Sequence, residues 1–356
     1  MNSFSNVRIV GTGLIGTSIG LALAQHGISL SLKDSDEKAL HLASDLLRGS
    51  LSDEAPELTI IAAPPQSVFE ALKTEYEANP QSWFIDISSV KNKLKVEIEL
   101  LPEIAKRFIG THPMAGRESS GAKSAQADLF QGRAWILTPN KYTEPQAQDM
   151  AMQLIELLGA TPYVMDSAEH DEVMAQISHT PQVISTLLAA SLLDENFDSN
   201  SGAQLAGQGL RDMTRLAGSD GGLWAEILLE NNASVLKSLA GFQTRLEMFQ
   251  KALINKDLTG IQEVFQAGNL GRSQISGKHG AKPRNYSYLL IVIKDEPGAL
   301  SELFNECAKL QANIEDLSIE HSPGQLTGLI TLAFSPEDAQ KVSEHLISKD
   351  WKVHQR

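Results

Sequence analysis

Three glycines, Gly11, Gly13 and Gly16, are spaced G-x-G-x-x-G between the apolar run VRIV and the helix-forming stretch LIGTSIGLALAQ. Such a turn brings bare backbone up to a diphosphate and points a helix N-terminus at it. Gly11 is expected to make the tight turn, Gly13 to admit the pyrophosphate, and Gly16 to let helix and strand pack closely. Leu14 and Ile15 line the same turn. Asp34 ends the next apolar run, 18 residues after Gly16. A carboxylate there can accept hydrogen bonds from both adenine-ribose hydroxyls and repels a 2′-phosphate, which favours NAD over NADP although Lys33 is adjacent. Pro64 and Ser88, at the ends of the third and fourth apolar runs, are read as further cofactor contacts. The implied chemistry is hydride transfer to a nicotinamide.

Two further segments stand where loops leave a parallel sheet and face a bound dinucleotide, the usual place for chemistry in such folds. FIDISSVKNK holds Asp86, Ser88, Ser89 and Lys91, and RFIGTHPMAG places His112 just past a strand. His170 and Asp171 read as a supporting or capping pair without chemistry of their own. Cys307, the single cysteine, lies among Leu300, Leu303 and Phe304 at helical spacing and is expected to be a buried structural thiol.

The elements that must position these groups fall into three parts. In residues 1–165, VRIVG, LSLKD, LTIIAAP, WFIDIS, RFIGTHP and AWILTP alternate with helical patterns, predicting a mainly parallel, Rossmann-type α/β sheet. Residues 166–267 lack strand signals and predict an all-α domain. Ser167 to Leu193 reads as one long helix with Pro181 inside, a residue that costs on the order of 3 kcal/mol in a helix interior. A second pattern from Leu223 to about Ile254 reads as one helix long enough to need a dimer partner. Residues 268–286 are poor in apolar side chains, carry Arg272, Lys278, Lys282 and Arg284, and read as a solvated linker or a basic hinge. Residues 287–356 predict βαββαβ, the order of a ferredoxin-like domain.

With 356 residues, 42% hydrophobic and 21% charged, the chain has the composition of a globular protein of two or three domains. A formal charge of −14 argues against nucleic acid as partner. No apolar run reaches the roughly 18 residues that span a bilayer, and the opening residues leave no room for a signal peptide, so a cytoplasmic protein is expected.

GTHPMAG followed by SG, LF, G and WILTP resembles the segment carrying the catalytic histidine of the prephenate and arogenate dehydrogenases. The likeness continues in order through HDEVMAQISHTP, GLRDMTRLAGSDGGLW and LLENN. It implies oxidative decarboxylation of prephenate to 4-hydroxyphenylpyruvate with NAD, in tyrosine biosynthesis, or of arogenate to tyrosine. On the matching positions it implies that His112 is the catalytic base or acceptor and that Ser89 bonds the same region. Arg215 then grips a substrate carboxylate, with Arg211 a second cation, Trp224 a pocket aromatic and His179 the histidine of the SHxP run. Two positions depart from the pattern. Gln182 stands where many relatives have a further histidine, and Arg117 where several have a small polar residue. KDEPGALSELF resembles an ACT domain, which implies an aromatic amino-acid effector near Asp295, Gly298 and Asn313, or a module that only packs. Another Rossmann oxidoreductase and a non-catalytic sensor of NAD and amino acids are the competing readings.

Overall fold

The computed structural model describes residues 4–115, 121–193, 205–275, 286–321 and 327–355. The chain divides into two compact units, Met1–Arg245 and Leu246–Arg356.

The first unit is built on seven strands: β1 (Asn6–Val10), β2 (Ser29–Lys33), β3 (Leu58–Ile61), β4 (Trp83–Asp86), β5 (Phe108–Pro113), β6 (Ala134–Thr138) and β7 (Thr161–Val164). Their spatial order is β2-β1-β3-β4-β5-β6-β7, parallel throughout except where β5 meets β6. Around them run α1 (Leu14–Gln25), α2 (Glu37–Leu47), α3 (Val68–Ala78), α4 (Asn92–Ile98), α5 (Pro102–Lys106) and α6 (Pro145–Leu157). Every residue of β3 is buried, as expected for a parallel strand covered on both faces. Sequence direction reverses across β1, whose neighbours are β2 on one side and β3 on the other. That switch point opens the crevice in which such sheets bind ligands. β5 pairs with β4 only as far as Gly110, so His112 extends past the end of its neighbour at the carboxyl edge. β7, absent from the sequence reading, is a four-residue, mostly exposed edge strand containing Pro162, which hides a strand signal.

The helices that follow bear out one expectation with an irregularity and correct another. Ser167 to Leu193 is one unbroken helical run, made of α7 (Ser167–Met174), a π-helical turn over Ala175–His179, α8 (Thr180–Ala190) and a 3₁₀ turn over Ser191–Leu193. Pro181 follows directly on the π turn, in the first turn of α8. The long pattern after Leu223 is instead two helices, α10 (Gly221–Glu230) and α11 (Asn232–Ile254), broken at the buried Asn231. Between them and α8 lie α9 (Gln208–Thr214) and a 3₁₀ turn over Arg215–Gly218.

α12 (Leu258–Ser273) carries helix six residues into the stretch read as linker. Asp257 caps it by accepting the Gly260 N–H at 3.0 Å, whereas Gly268 and Gly271 weaken its helical pattern in the sequence. Lys278, Lys282 and Arg284 fall outside the described residues. The last elements, β8 (Ser287–Lys294), α13 (Ala299–Lys309), β9 (Asp316–His321), β10 (Thr327–Phe334), α14 (Pro336–Ser348) and β11 (Lys352–Gln355), follow the predicted order. They make an antiparallel sheet, β11-β8-β10-β9, over a core of Leu289, Ile291, Leu303, Ile330, Leu332 and Val342. Cys307 is buried in that core, and burial pushes its thiol up to about 11, which leaves it unreactive. Among the described residues no helix is long and apolar enough to cross a membrane.

α13 and α14 are joined by a carboxylate. Glu306 accepts from Lys309 Nζ at 2.5 Å and pairs with His345 Nε2 at 2.6 Å. The Lys309 bond, then the His345 bond, hold its carboxyl at about 2 against an ordinary 4.5. A carboxyl depressed in the folded state adds stability above its unfolded pKa and loses it as pH falls through the folded one. Glu306→Gln is therefore expected to lower the melting temperature of the full chain at pH 7. The gap from the parent protein should narrow as pH drops from 4.5 towards 2. A gap that is constant over that range in scanning calorimetry would show that Glu306 is not the titrating partner.

Candidate active site

The glycine turn is closed by contacts that only glycine allows. Gly11 has φ +102°, and a Cβ there would come within 2.3 Å of the Ala62 carbonyl oxygen just beyond β3. A Cβ on Gly16 would meet the Gly11 carbonyl oxygen at 2.0 Å, so β1 and α1 can approach this closely through glycine alone. A Cβ on Gly13, by contrast, would meet nothing within 4 Å, and the α1 N-terminus has no side-chain cap. Its first amides are left for phosphate oxygens. Leu14 is buried and Ile15 half-buried behind them, while Pro64 is exposed at the head of a 3₁₀ turn over Pro65–Ser67.

Asp34 Oδ2 accepts from Thr12 N at 2.6 Å and Thr12 Oγ1 at 2.8 Å, and Oδ1 accepts from Asp36 N at 2.9 Å. Burial raises this carboxyl, but those bonds outweigh it and hold the group below the usual carboxylate range, so it is ionised at neutral pH. Lys33 pairs instead with the buried Glu75 at 2.6 Å, which Arg8 also reaches at 3.2 Å. The cation beside Asp34 is thus engaged elsewhere. The cradle fits NAD.

β4 ends in Asp86, fully buried, and the following loop folds back on it. Ser88 donates its N–H at 3.0 Å and its hydroxyl at 2.6 Å to Asp86 Oδ2. Lys91, also buried, forms an ion pair with the same oxygen and reaches Ser88 Oγ at 3.0 Å. Burial pulls the Lys91 ammonium down; Asp86 opposes that without cancelling it. The Ser88 hydroxyl is therefore turned inward. Ser89 is half-buried, and its hydroxyl makes no hydrogen bond among the described residues.

His112 does not stand alone. Its Nδ1 lies 2.9 Å from His170 Nε2, and His170 Nδ1 lies 2.8 Å from Asp171 Oδ1. The two rings meet edge to face, with centroids 5.1 Å apart. Asp171 is fixed in turn by the start of α4: Lys91 N donates to Oδ1 and Asn92 N to Oδ2, both at 2.9 Å. Burial, then the neighbouring His170, Lys91 and His179, hold His112 well below the ordinary histidine range, so its ring is neutral at pH 7. A neutral histidine at a strand end with one nitrogen tied back is suited to act as a hydrogen-bond acceptor or base.

His179, at the end of the π turn, is buried, and burial takes its pKa down to about 4. Its Nδ1 lies 3.2 Å from Asn231 Nδ2, and its ring meets Trp224 edge on at 6.0 Å. Asn231 Nδ2 also donates to the Asp171 carbonyl at 2.8 Å. Gln182, buried on α8, donates to the Leu216 carbonyl at 2.7 Å and so pins the 3₁₀ turn that begins with Arg215. The Arg215 side chain is exposed on that turn. Arg211, one turn earlier, bends back to the Ala206 carbonyl at 3.3 Å. Arg117 lies outside the described residues. The structure thus brings His112, His179 and Trp224 into one contact network through His170 and Asp171, which the sequence reads as a supporting or capping pair, and through Asn231, to which it assigns no role. Only its place within LLENN marked Asn231.

In the second unit, Asp295 and Gly298 line a pocket of about 270 Å³ with Leu300, Ile319, Gly328 and Ile330. Gly298, at φ +96°, opens α13. Asn313 is not among the lining residues; it is exposed and donates to Glu315 at 2.9 Å.

Comparison with known proteins agrees with this geometry. Residues 19–164 match the prephenate dehydrogenase nucleotide-binding domain and residues 166–267 the prephenate dehydrogenase dimerization domain. The "Probable prephenate dehydrogenase NovF" of Streptomyces niveus is 30% identical over 97% of this chain and 98% of its own length. The Aquifex aeolicus prephenate dehydrogenase solved with hydroxyphenyl propionate and NAD+ is 27% identical at a TM-score of 0.70, over 77% of this chain and 99% of that one. The Synechocystis arogenate dehydrogenase is 25% identical at a TM-score of 0.64, over 76% and 99% respectively. With a glycine cradle at one sheet edge, a neutral histidine at the same edge and a relative matching end to end, the chain belongs to the prephenate dehydrogenase family.

Proposed function

We propose that the enzyme oxidatively decarboxylates prephenate to 4-hydroxyphenylpyruvate and carbon dioxide, with NAD supplying the hydride acceptor. The observation that carries this reading is the line His112–His170–Asp171, which ties back one nitrogen of a neutral histidine at the sheet edge bearing the dinucleotide cradle. His112 accepts the hydrogen bond of the ring hydroxyl while hydride leaves the carbon that bears it. The ring carboxylate departs as carbon dioxide, and its bonding pair completes the aromatic ring. The hydroxyl keeps its proton as the phenol, so one hydride is lost and no net proton. Ser89 bonds in the same region. Arg215 binds a substrate carboxylate through its planar fork, Arg211 on α9 adds a second cation, and Gln182 holds the turn that begins at Arg215 in place. His179 and Trp224 form a wall of the pocket. Arogenate is the second reading, favoured by the likeness to the Synechocystis enzyme.

The apolar side chains Leu236, Phe242, Leu253, Leu258, Phe265 and Leu270 are exposed along α11 and α12, and we assign them to a homodimer interface. We assign the βαββαβ unit, which resembles an ACT domain, to feedback control by an aromatic amino acid in the Asp295–Gly298 pocket. A cytoplasmic location follows from this biosynthetic reading.

Three measurements test these assignments. Absorbance at the NADH wavelength should show the highest kcat/KM for prephenate with NAD, and His112→Asn should lower kcat by about 10²- to 10⁴-fold. A higher efficiency with arogenate would favour the second reading, and an undiminished His112→Asn would remove His112 from its role. Phe242→Asp should shift the light-scattering mass of the full chain from that of two chains to that of one; a parent protein already monomeric would overturn the dimer. Tyrosine titrated into the whole enzyme should release heat and slow turnover. No heat with tyrosine or phenylalanine would leave the last domain a packing module.

A further inference from the structure

We propose that Asp171 is a positioning residue that sets opposite proton polarity on the two site histidines, a bare Nε2 on His112 and an Nε2–H on His179. The consequence for catalysis rests on the assignment of His112 above; the proton positions themselves do not.

The first arm runs through the side chain. Both Asp171 oxygens already accept backbone N–H groups, from Lys91 and Asn92, so the carboxylate faces His170 as an acceptor. His170 Nδ1, 2.8 Å away, must then carry a proton. With its one ring proton placed on Nδ1, His170 presents a lone pair on Nε2, which accepts from His112 Nδ1–H at 2.9 Å. His112 Nε2 is thereby unprotonated. The second arm runs through the main chain. The Asp171 carbonyl accepts from Asn231 at 2.8 Å, and only the amide nitrogen can donate to it, which fixes the orientation of that side chain. The remaining hydrogen of the same nitrogen points to His179 Nδ1 at 3.2 Å. His179 Nδ1 is then the acceptor, and its proton sits on Nε2. One residue so equips the site with an acceptor suited to a hydroxyl and a donor suited to a carboxylate or keto oxygen.

The test is made on the free enzyme. Long-range ¹H–¹⁵N correlation spectra of protein with ¹⁵N-labelled histidine, at pH 7.5, report which ring nitrogen bears the proton, and His112→Gln and His179→Gln assign the signals. Expected are Nδ1–H for His112 and Nε2–H for His179. Finding Nε2–H on His112, or Nδ1–H on His179, in the unmodified protein overturns the proposal without recourse to any variant. Asn231→Asp, which replaces the donor by an acceptor, should transfer the His179 proton to Nδ1. A folded Asp171→Asn is expected to give mixed His112 tautomers and a kcat lower by about 10²-fold or more at little-changed KM. Fixed tautomers and full turnover in that variant would also overturn it. Failure to turn over prephenate would count against the functional assignment and leave the tautomers as measured.

Discussion

The carboxylate of Asp171 closes the start of α4 with two backbone hydrogen bonds, and the rest of the site is placed relative to it. Charge-assisted bonds of this kind contribute on the order of 1.5–3 kcal/mol, and their loss would leave buried donors unpaired. The bond is also a tie between distant parts of the chain. Asp171 belongs to α7, the first helix after the sheet, whereas Lys91 ends the loop that leaves β4 and Asn92 opens α4. Fastening one to the other holds His170 over the end of β5, where His112 emerges.

The loop after β4 is therefore gripped from both sides. Asp171 takes its amides at one end, and Asp86 takes Ser88 and the Lys91 ammonium at the other. A buried ion pair is a poor source of net stability, because removing both charges from water offsets most of their attraction. Its value here is conformational. With Lys91 held through its side chain by Asp86 and through its main chain by Asp171, Ser89 has little freedom to drift. Gly110 on β5 makes this possible, since a Cβ there would lie 2.5 Å from Thr138 Oγ1 and 3.4 Å from Asp86 Oδ1.

How much of this can be read without coordinates follows from the range of each signal. The cofactor cradle is local: three glycines and Asp34 lie within one βαβ unit, and their spacing already states which contacts each must make. The six apolar runs likewise appear as strands, most plainly β3, a parallel strand buried on both faces that leaves a continuous apolar trace. The histidine line has no such trace. His170 and Asp171 read as a supporting or capping pair from their adjacency alone, but nothing local names what they support, because the ring His170 touches is 58 residues away. Asn231 looks like one more polar residue in an amphipathic run, although it ends α10 and bridges two groups. Gln182 reads as a missing histidine, whereas its amide has a job of its own on the Leu216 carbonyl.

The π turn over Ala175–His179 shows how a break in regularity places chemistry. In an α-helix each residue advances about 100°, so Asp171 and His179, eight apart, would differ by roughly 80° and face different neighbours. A π turn takes in one extra residue, which sets the later positions back by about 100° and leaves the two within roughly 20° of each other. The contacts require that alignment, since a single amide nitrogen, that of Asn231, reaches both the Asp171 carbonyl and His179 Nδ1. Pro181 makes the irregularity easier to keep. Without an N–H it cannot demand the Ile177 carbonyl, so the regular ladder has less to regain at this point than anywhere else along the two helices. The proline that the sequence flags as an anomaly thus belongs with the histidine two residues before it: one lowers the cost of the extra residue, and the other is the side chain that the extra residue turns into the site.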